Sequence, residues 1–213
     1  MSWRLARQQL PEPCLVASRR RKLHGCFSIN IHSVYDFGRR FMITVYPGLK
    51  HFSQASYDAM VRSLDLSHIS CTCGKEGALH FNGSYRRRIK TKTETYTLRV
   101  QRMRCRSCGA THAIFPADVI PYNQILLDEQ LALIRSHKSG GGYVDLLDSN
   151  PDIDENNAAA VIRRYDKVWI KENTDITADE SSLGNIVRKS FERTERQFLQ
   201  IKKTPNIFVD RTT

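Results

Sequence analysis

Two short stretches decide how this chain is read: Cys71-Thr72-Cys73-Gly74 and Cys105-Arg106-Ser107-Cys108-Gly109. Each is a pair of cysteines followed by a glycine, and thirty-one residues separate Cys73 from Cys105. A zinc ion takes four thiolates in a tetrahedron, and two tight turns carrying two sulfurs each supply them. The glycine after each pair lets the backbone curl under the ion at positive φ without a Cβ clash. The length between the pairs suits a β-hairpin whose two strands return to the ion. The spacing therefore predicts a zinc ribbon with one structural Zn2+ held by Cys71, Cys73, Cys105 and Cys108. The first pair is one residue tighter than the usual C-x2-C turn, so His68, His80 and His112 stand in reserve as ligands. Disulfide pairing is the competing reading. It belongs to oxidising compartments, and no stretch of this sequence reads as a secretory signal.

Between the knuckles, residues 79–89 and 95–105 read as the two strands of the hairpin. The second is the clearer: Tyr96, Leu98 and Val100 alternate with Thr97, Arg99 and Gln101. The hairpin is also where the charge lies. The chain carries a formal +11, and residues 80–108 hold nine Lys or Arg against one acid, Glu94. By contrast, residues 42–79 carry three of each sign, and residues 151–213 eleven of each. Like charges at that density repel unless phosphates neutralise them, which is how a nucleic-acid footprint is distributed. Arg86, Arg87, Arg88, Lys90, Lys92, Arg99, Arg102 and Arg104 are the candidate phosphate contacts. Such contacts fix position and do not read sequence.

Working outward, residues 1–41 form a basic arm without sustained periodicity. Pro11 and Pro13 interrupt any helix, Arg19-Arg20-Arg21-Lys22 is a solvated run, and Cys14 and Cys26 have no glycine turns to make them ligands. The orderly pattern begins at Met42, which we take as the expected physiological start. Residues 42–66 read as a lead-in: an extended piece with Ile43, Val45 and Tyr46, then a helix over 57–66 capped by Ser56. The ribbon occupies 67–118, and Ala113-Ile114-Phe115-Pro116 with Pro121-Tyr122 forms the extended linker that leads out of it.

Residues 119–172 read as three helices, over 125–138, 143–147 and 152–172. Ser139-Gly140-Gly141-Gly142 ends the first, and Asp152 with Glu155 forms a capping box for the third. Ala158, Val161, Ile162, Tyr165, Val168 and Trp169 give the third helix one apolar stripe, while Asn156, Ala160, Arg163, Arg164 and Lys167 fall on another side. A helix, a short helix and a longer helix with a basic face follow the order of a helix-turn-helix unit. Asparagine early in the last helix has the donor and acceptor to meet adenine in the major groove. An ordinary helical bundle with a solvated face is the competing reading. Residues 173–213 begin as an acidic linker over 174–180. An amphipathic helix over 182–201 follows, and it packs on the helical unit or mediates self-association. An apolar tail over 204–208 closes the chain.

The knuckles, Tyr85-Arg86-Arg87, Arg102-Met103-Arg104, Thr111-His112-Ala113, Pro116 and Pro121-Tyr122 resemble the zinc-ribbon leader of insertion-sequence transposases. They resemble still more closely a group of uncharacterised bacterial zinc-ribbon and helix-turn-helix proteins associated with mobile elements. The resemblance spans about residues 42–213 and implies DNA binding with zinc as a structural ion. It brings no transposase active site, which needs three separated carboxylates on an α/β core.

The fold expected is α+β: a small β-hairpin zinc ribbon followed by an α-helical, helix-turn-helix-like domain. The function expected is DNA binding by a cytoplasmic, nucleoid-associated accessory or regulatory protein of a mobile element. It is not an enzyme in this reading, and its partners are DNA and either a second copy or a transposition or recombination protein. A zinc-stabilised protein–protein adaptor is the alternative, and a truncated transposase or nuclease the second. No run of eighteen apolar residues offers a membrane span.

Overall fold

The computed structural model describes residues 40–142, 144–172 and 183–211. Two units divide the chain, Met1–Tyr35 and Asp36–Thr213, and the first lies outside the described residues. So do the basic run over 19–22, Cys14 and Cys26, the acidic linker over 174–180, and Tyr143 at the expected start of the short helix.

A five-stranded sheet in the order β2-β3-β4-β1-β5 underlies the second unit. Its hairpin is the one the alternation predicts: β2 (Leu79–Lys90) pairs antiparallel with β3 (Thr95–Cys105), with a bulge between Phe81 and Ser84. The stretch read as a linker is instead a strand, β4 (Thr111–Pro116), antiparallel to β3 through Arg102, Met103 and Arg104. β1 (Arg40–Tyr46) lies parallel to β4 on one side and to β5 (Asn206–Asp210) on the other. A central strand of this kind is apolar on both faces and shows no alternation. Phe41, Met42, Ile43, Val45 and the intervening Thr44 are all buried. The strand starts at Arg40, so the boundary expected at Met42 falls inside it. The apolar tail at the chain's end docks as β5, with Asn206 and the Thr44 hydroxyl hydrogen-bonded across the pair.

Helix α1 (Gln54–Arg62) packs on this sheet. Its cap is Ser53 rather than Ser56: the Ser53 hydroxyl accepts the Ser56 N–H at 3.1 Å, which starts the helix earlier than expected. Tyr57 in α1 is fully buried; its hydroxyl accepts the Gln101 N–H and donates to the Ile114 carbonyl, both at 2.9 Å. That one side chain replaces a ladder rung where β3 and β4 diverge. α1, the sheet and both buried cysteines form one core.

A second core is helical. It gathers α2 (Leu127–Lys138), α3 (Val144–Ser149), α4 (Glu155–Arg164) and α6 (Leu183–Thr194) around Leu131, Ile134, Val161, Trp169 and Phe198. The third helix is not continuous α-helix. After α4 the chain makes a π-helical turn over Tyr165–Trp169 before α5 (Ile170–Glu172), and both Tyr165 and Trp169 stay buried. Its cap is Asp154, which accepts the Asn157 N–H at 2.7 Å, and not Asp152. α6 ends at Thr194, short of 201; Glu195 and Leu199 take positive φ, and Phe198 and Leu199 turn into the core. No described helix is long and apolar enough to cross a membrane.

Candidate metal centre

The first knuckle is a tight turn. Gly74 N–H donates to the Cys71 carbonyl at 2.8 Å, Cys71 N–H donates to the Lys75 carbonyl at 2.9 Å, and Gly74 sits at φ 81°. The second repeats the scheme at the end of β3. Gly109 N–H donates to the Cys105 carbonyl and Cys105 N–H to the Ala110 carbonyl, both at 2.9 Å, with Gly109 at φ 74°. Open space surrounds a Cβ built at Gly74, so the left-handed backbone and not crowding demands glycine there. The Arg106 N–H donates to the Ala78 carbonyl at 2.9 Å and fastens the second knuckle to the strand that follows the first.

These turns bring the four sulfurs of Cys71, Cys73, Cys105 and Cys108 within 4.8 Å of one another. Cys71 and Cys108 sulfurs are 3.6 Å apart, and those of Cys73 and Cys105 are 3.8 Å apart. A tetrahedral ion with metal–sulfur bonds of about 2.3 Å separates its sulfurs by about 3.8 Å, so the cluster fits one. None of the four is in a disulfide. Cys71 and Cys105 are buried while Cys73 and Cys108 face outward, so the site lies at the edge of the sheet core.

Electrostatics favour a cation here. Burial, with thiol hydrogen bonds from its neighbours, pushes the Cys71 thiol up to about 12. Burial also raises Cys108. At Cys105 burial acts the same way, but the N–H groups of Cys108 and Ser107 and the neighbouring thiols outweigh it and bring it down to about 7. Four thiolates cannot crowd together unaided; a divalent ion removes that penalty and deprotonates them.

Of the three reserve histidines, His112 is the one at the site. It is fully buried in β4, with Nε2 3.3 Å from the Cys71 sulfur and its ring stacked on Phe41 at 5.4 Å. Burial holds it down at about 4, so the ring is neutral. His112 thus stands beside the four sulfurs and not among them, a distinction that its spacing after Cys108 does not carry. His68 lies outside, 3.6 Å from both Asp65 and Glu76. His80 stands on β2 opposite Arg104.

The candidate phosphate contacts separate into two groups. Arg86, Arg88, Lys92, Arg99, Arg102 and Arg104 reach the surface. Arg87 and Lys90 are not free to meet phosphate. Arg87 donates to the carbonyls of Ile120 and Asn123 and lies over the Phe115 ring at 4.8 Å, and burial lowers its pKa. Lys90 is buried, with Nζ donating to the Asp152 carbonyl and to Asn157 Oδ1. Both residues join the hairpin to the helical part, a use that depends on contacts far away in sequence.

On α4 and the turn after it, Asn156, Arg163 and Lys167 are exposed, but Arg164 turns inward to Gln130 Oε1 at 3.1 Å and burial lowers its pKa. The start of α4 is stitched to the hairpin. Arg88 pairs with Asp152 at 3.1 Å, and Asn150 Nδ2 donates to the Thr91 carbonyl at 2.7 Å. The basic hairpin and the N-terminus of α4 are therefore neighbours.

A family model described as a domain of unknown function (DUF6431) matches residues 70–139, from the residue before the first knuckle to just past the end of α2. No curated protein and no solved structure matches the chain.

Proposed function

We propose that this protein binds DNA. In this reading one zinc ion builds the cysteine ribbon, the hairpin grips phosphate, and α2, α3 and α4 act as a helix-turn-helix-like unit whose α4 meets base edges. The observation that carries it is the arrangement of arginines on the hairpin. Arg86 stands directly opposite Arg99, a like-charge cross-strand pair that costs stability unless something neutralises it. Asp58 approaches Arg99 at 3.8 Å, but Arg86, Arg102, Arg104 and Arg106 meet no carboxylate within 4 Å among the described residues. Phosphates fill that role, and the adjoining α4 presents Asn156 and Arg163 beside it, with Lys167 following.

The ion in this reading is structural: four sulfurs complete its shell and leave no position for water. The resemblance of the knuckles to transposase leaders supplies the context, an accessory or regulatory protein of a mobile element without a catalytic core.

Replacing Arg86, Arg102 and Arg104 together by alanine tests the hairpin's part. Affinity for every duplex should fall alike, and the slope of log K against log salt should shrink by about 0.9 for each phosphate that is no longer neutralised. Replacing Asn156 should leave that slope unchanged and cost about 1–3 kcal/mol on a selected site alone. Unaltered binding in the triple variant would leave the ribbon an adaptor surface for another protein.

A further inference from the structure

A cavity of about 450 Å³ opens over the sheet, bordered by the loop through Pro121 and Tyr122. It lies within the range of small-ligand sites. Register brings part of its lining together: Arg102, Ala113 and Met42 stand in one row across β3, β4 and β1. Four aromatic rings line it: Phe41, Tyr85, Phe115 and Tyr122. The guanidiniums of Arg87 and Arg102 join them.

Two features of the lining ask for a guest. Tyr122 is half-exposed although it carries a large ring, and it holds φ 63°, a left-handed backbone that a bulky residue rarely adopts. Arg102, in the same lining, is exposed and meets no carboxylate within 4 Å among the described residues.

We propose that this cavity accepts one unpaired base of a DNA strand, with the adjoining phosphate held by Arg102. The inference rests on the DNA-binding reading above and names a mode of contact that reading lacks. An apolar guest would leave the Arg102 guanidinium unmet, and a bare anion would leave the half-exposed Tyr122 ring unstacked. A nucleotide satisfies both: a flat π face for the ring and a phosphate for the exposed arginine. Stacked bases of a duplex cannot enter, so the base comes from a single strand or is turned out of the helix.

The test uses the full-length zinc-loaded protein and two oligonucleotides, one single strand carrying 2-aminopurine at a central position and the same strand abasic there. The base-bearing strand should bind on the order of tenfold more tightly, with the fluorophore quenched by stacking. Tyr122→Ala, at a half-exposed position outside the core, should abolish both the difference and the quenching while leaving duplex affinity and its salt slope unchanged. Equal binding of the two strands by the wild-type protein overturns the inference, as does quenching that persists in Tyr122→Ala. Duplex binding with a normal salt slope but no base effect removes the cavity's role alone. A base effect without duplex binding removes the duplex reading alone.

Discussion

Asp118 lies just beyond β4, where its carboxylate accepts the Leu49 N–H and faces Gly48 so closely that a Cβ there would collide with it. Burial raises its pKa to about 6, with the nearby Asp128 adding to the effect. The folded protein therefore keeps a proton that the unfolded chain has released between about pH 4 and pH 6. Stability contributed by this group is present below pH 4, is lost as pH rises through that window, and stays lost above it. Asp118→Asn keeps an acceptor for Leu49 and removes the charge. The variant should be more stable than wild type by about 1–3 kcal/mol at pH 7, and the gap should close towards pH 4. Urea unfolding of both proteins across that range checks it; a constant gap would mean the carboxylate is not the cause.

At the scale of elements, the proposed metal site makes the cysteine knuckles the parts whose folding should depend on an ion. Neither turn has more than a few hydrogen bonds of its own, so a metal bound there would contribute directly to their folding. Cys105→Ser removes a buried sulfur of that site from the end of β3. It should abolish metal retention in elemental analysis and lose the β2–β3 pairing near Leu79, read by amide exchange; an intact metal content would refute the four-sulfur site. The hairpin and knuckles were legible in the sequence because both signals are local: strict alternation in β3 and fixed spacing at each turn. β4 and β5 were not. β4 is buried between two neighbours and so lacks alternation, and the partners of β5 lie 164 residues upstream, Met42 opposite Asn206. Arg87 and Lys90 look like their exposed neighbours in sequence; only the carbonyls of Ile120, Asn123 and Asp152 distinguish them. The cavity was illegible for the same reason, its rings coming from β1, β2, β4 and a loop.

At the scale of the whole molecule, the sequence suggests separate pieces, a ribbon and a helical domain, whereas the sheet runs through both. β1 carries the cysteine hairpin through β4 and the return from the helices through β5. The two cores meet across that strand: Tyr46 and Phe208 pack on the helical core, while Ile43, Val45 and Ile207 belong with the cysteine core. Lys90 and the Arg88–Asp152 pair add a second seam at the hairpin tip. A molecule joined along its central strand should unfold as one cooperative unit, since opening either core exposes the shared strand. Two probes separate this from independent domains: release of the metal to a colorimetric chelator reports the knuckles, and Trp169 fluorescence, in a Trp3→Phe background, reports the helical core. Their urea transitions should coincide, and deletion of residues 205–213 should shift both midpoints down together by removing β5 from the edge of β1. A deletion that lowers the Trp169 transition but leaves metal release in place would show that the ribbon folds independently of the helices. In that case the seam at Lys90 and β1 would be a docking surface between two domains and not part of one core.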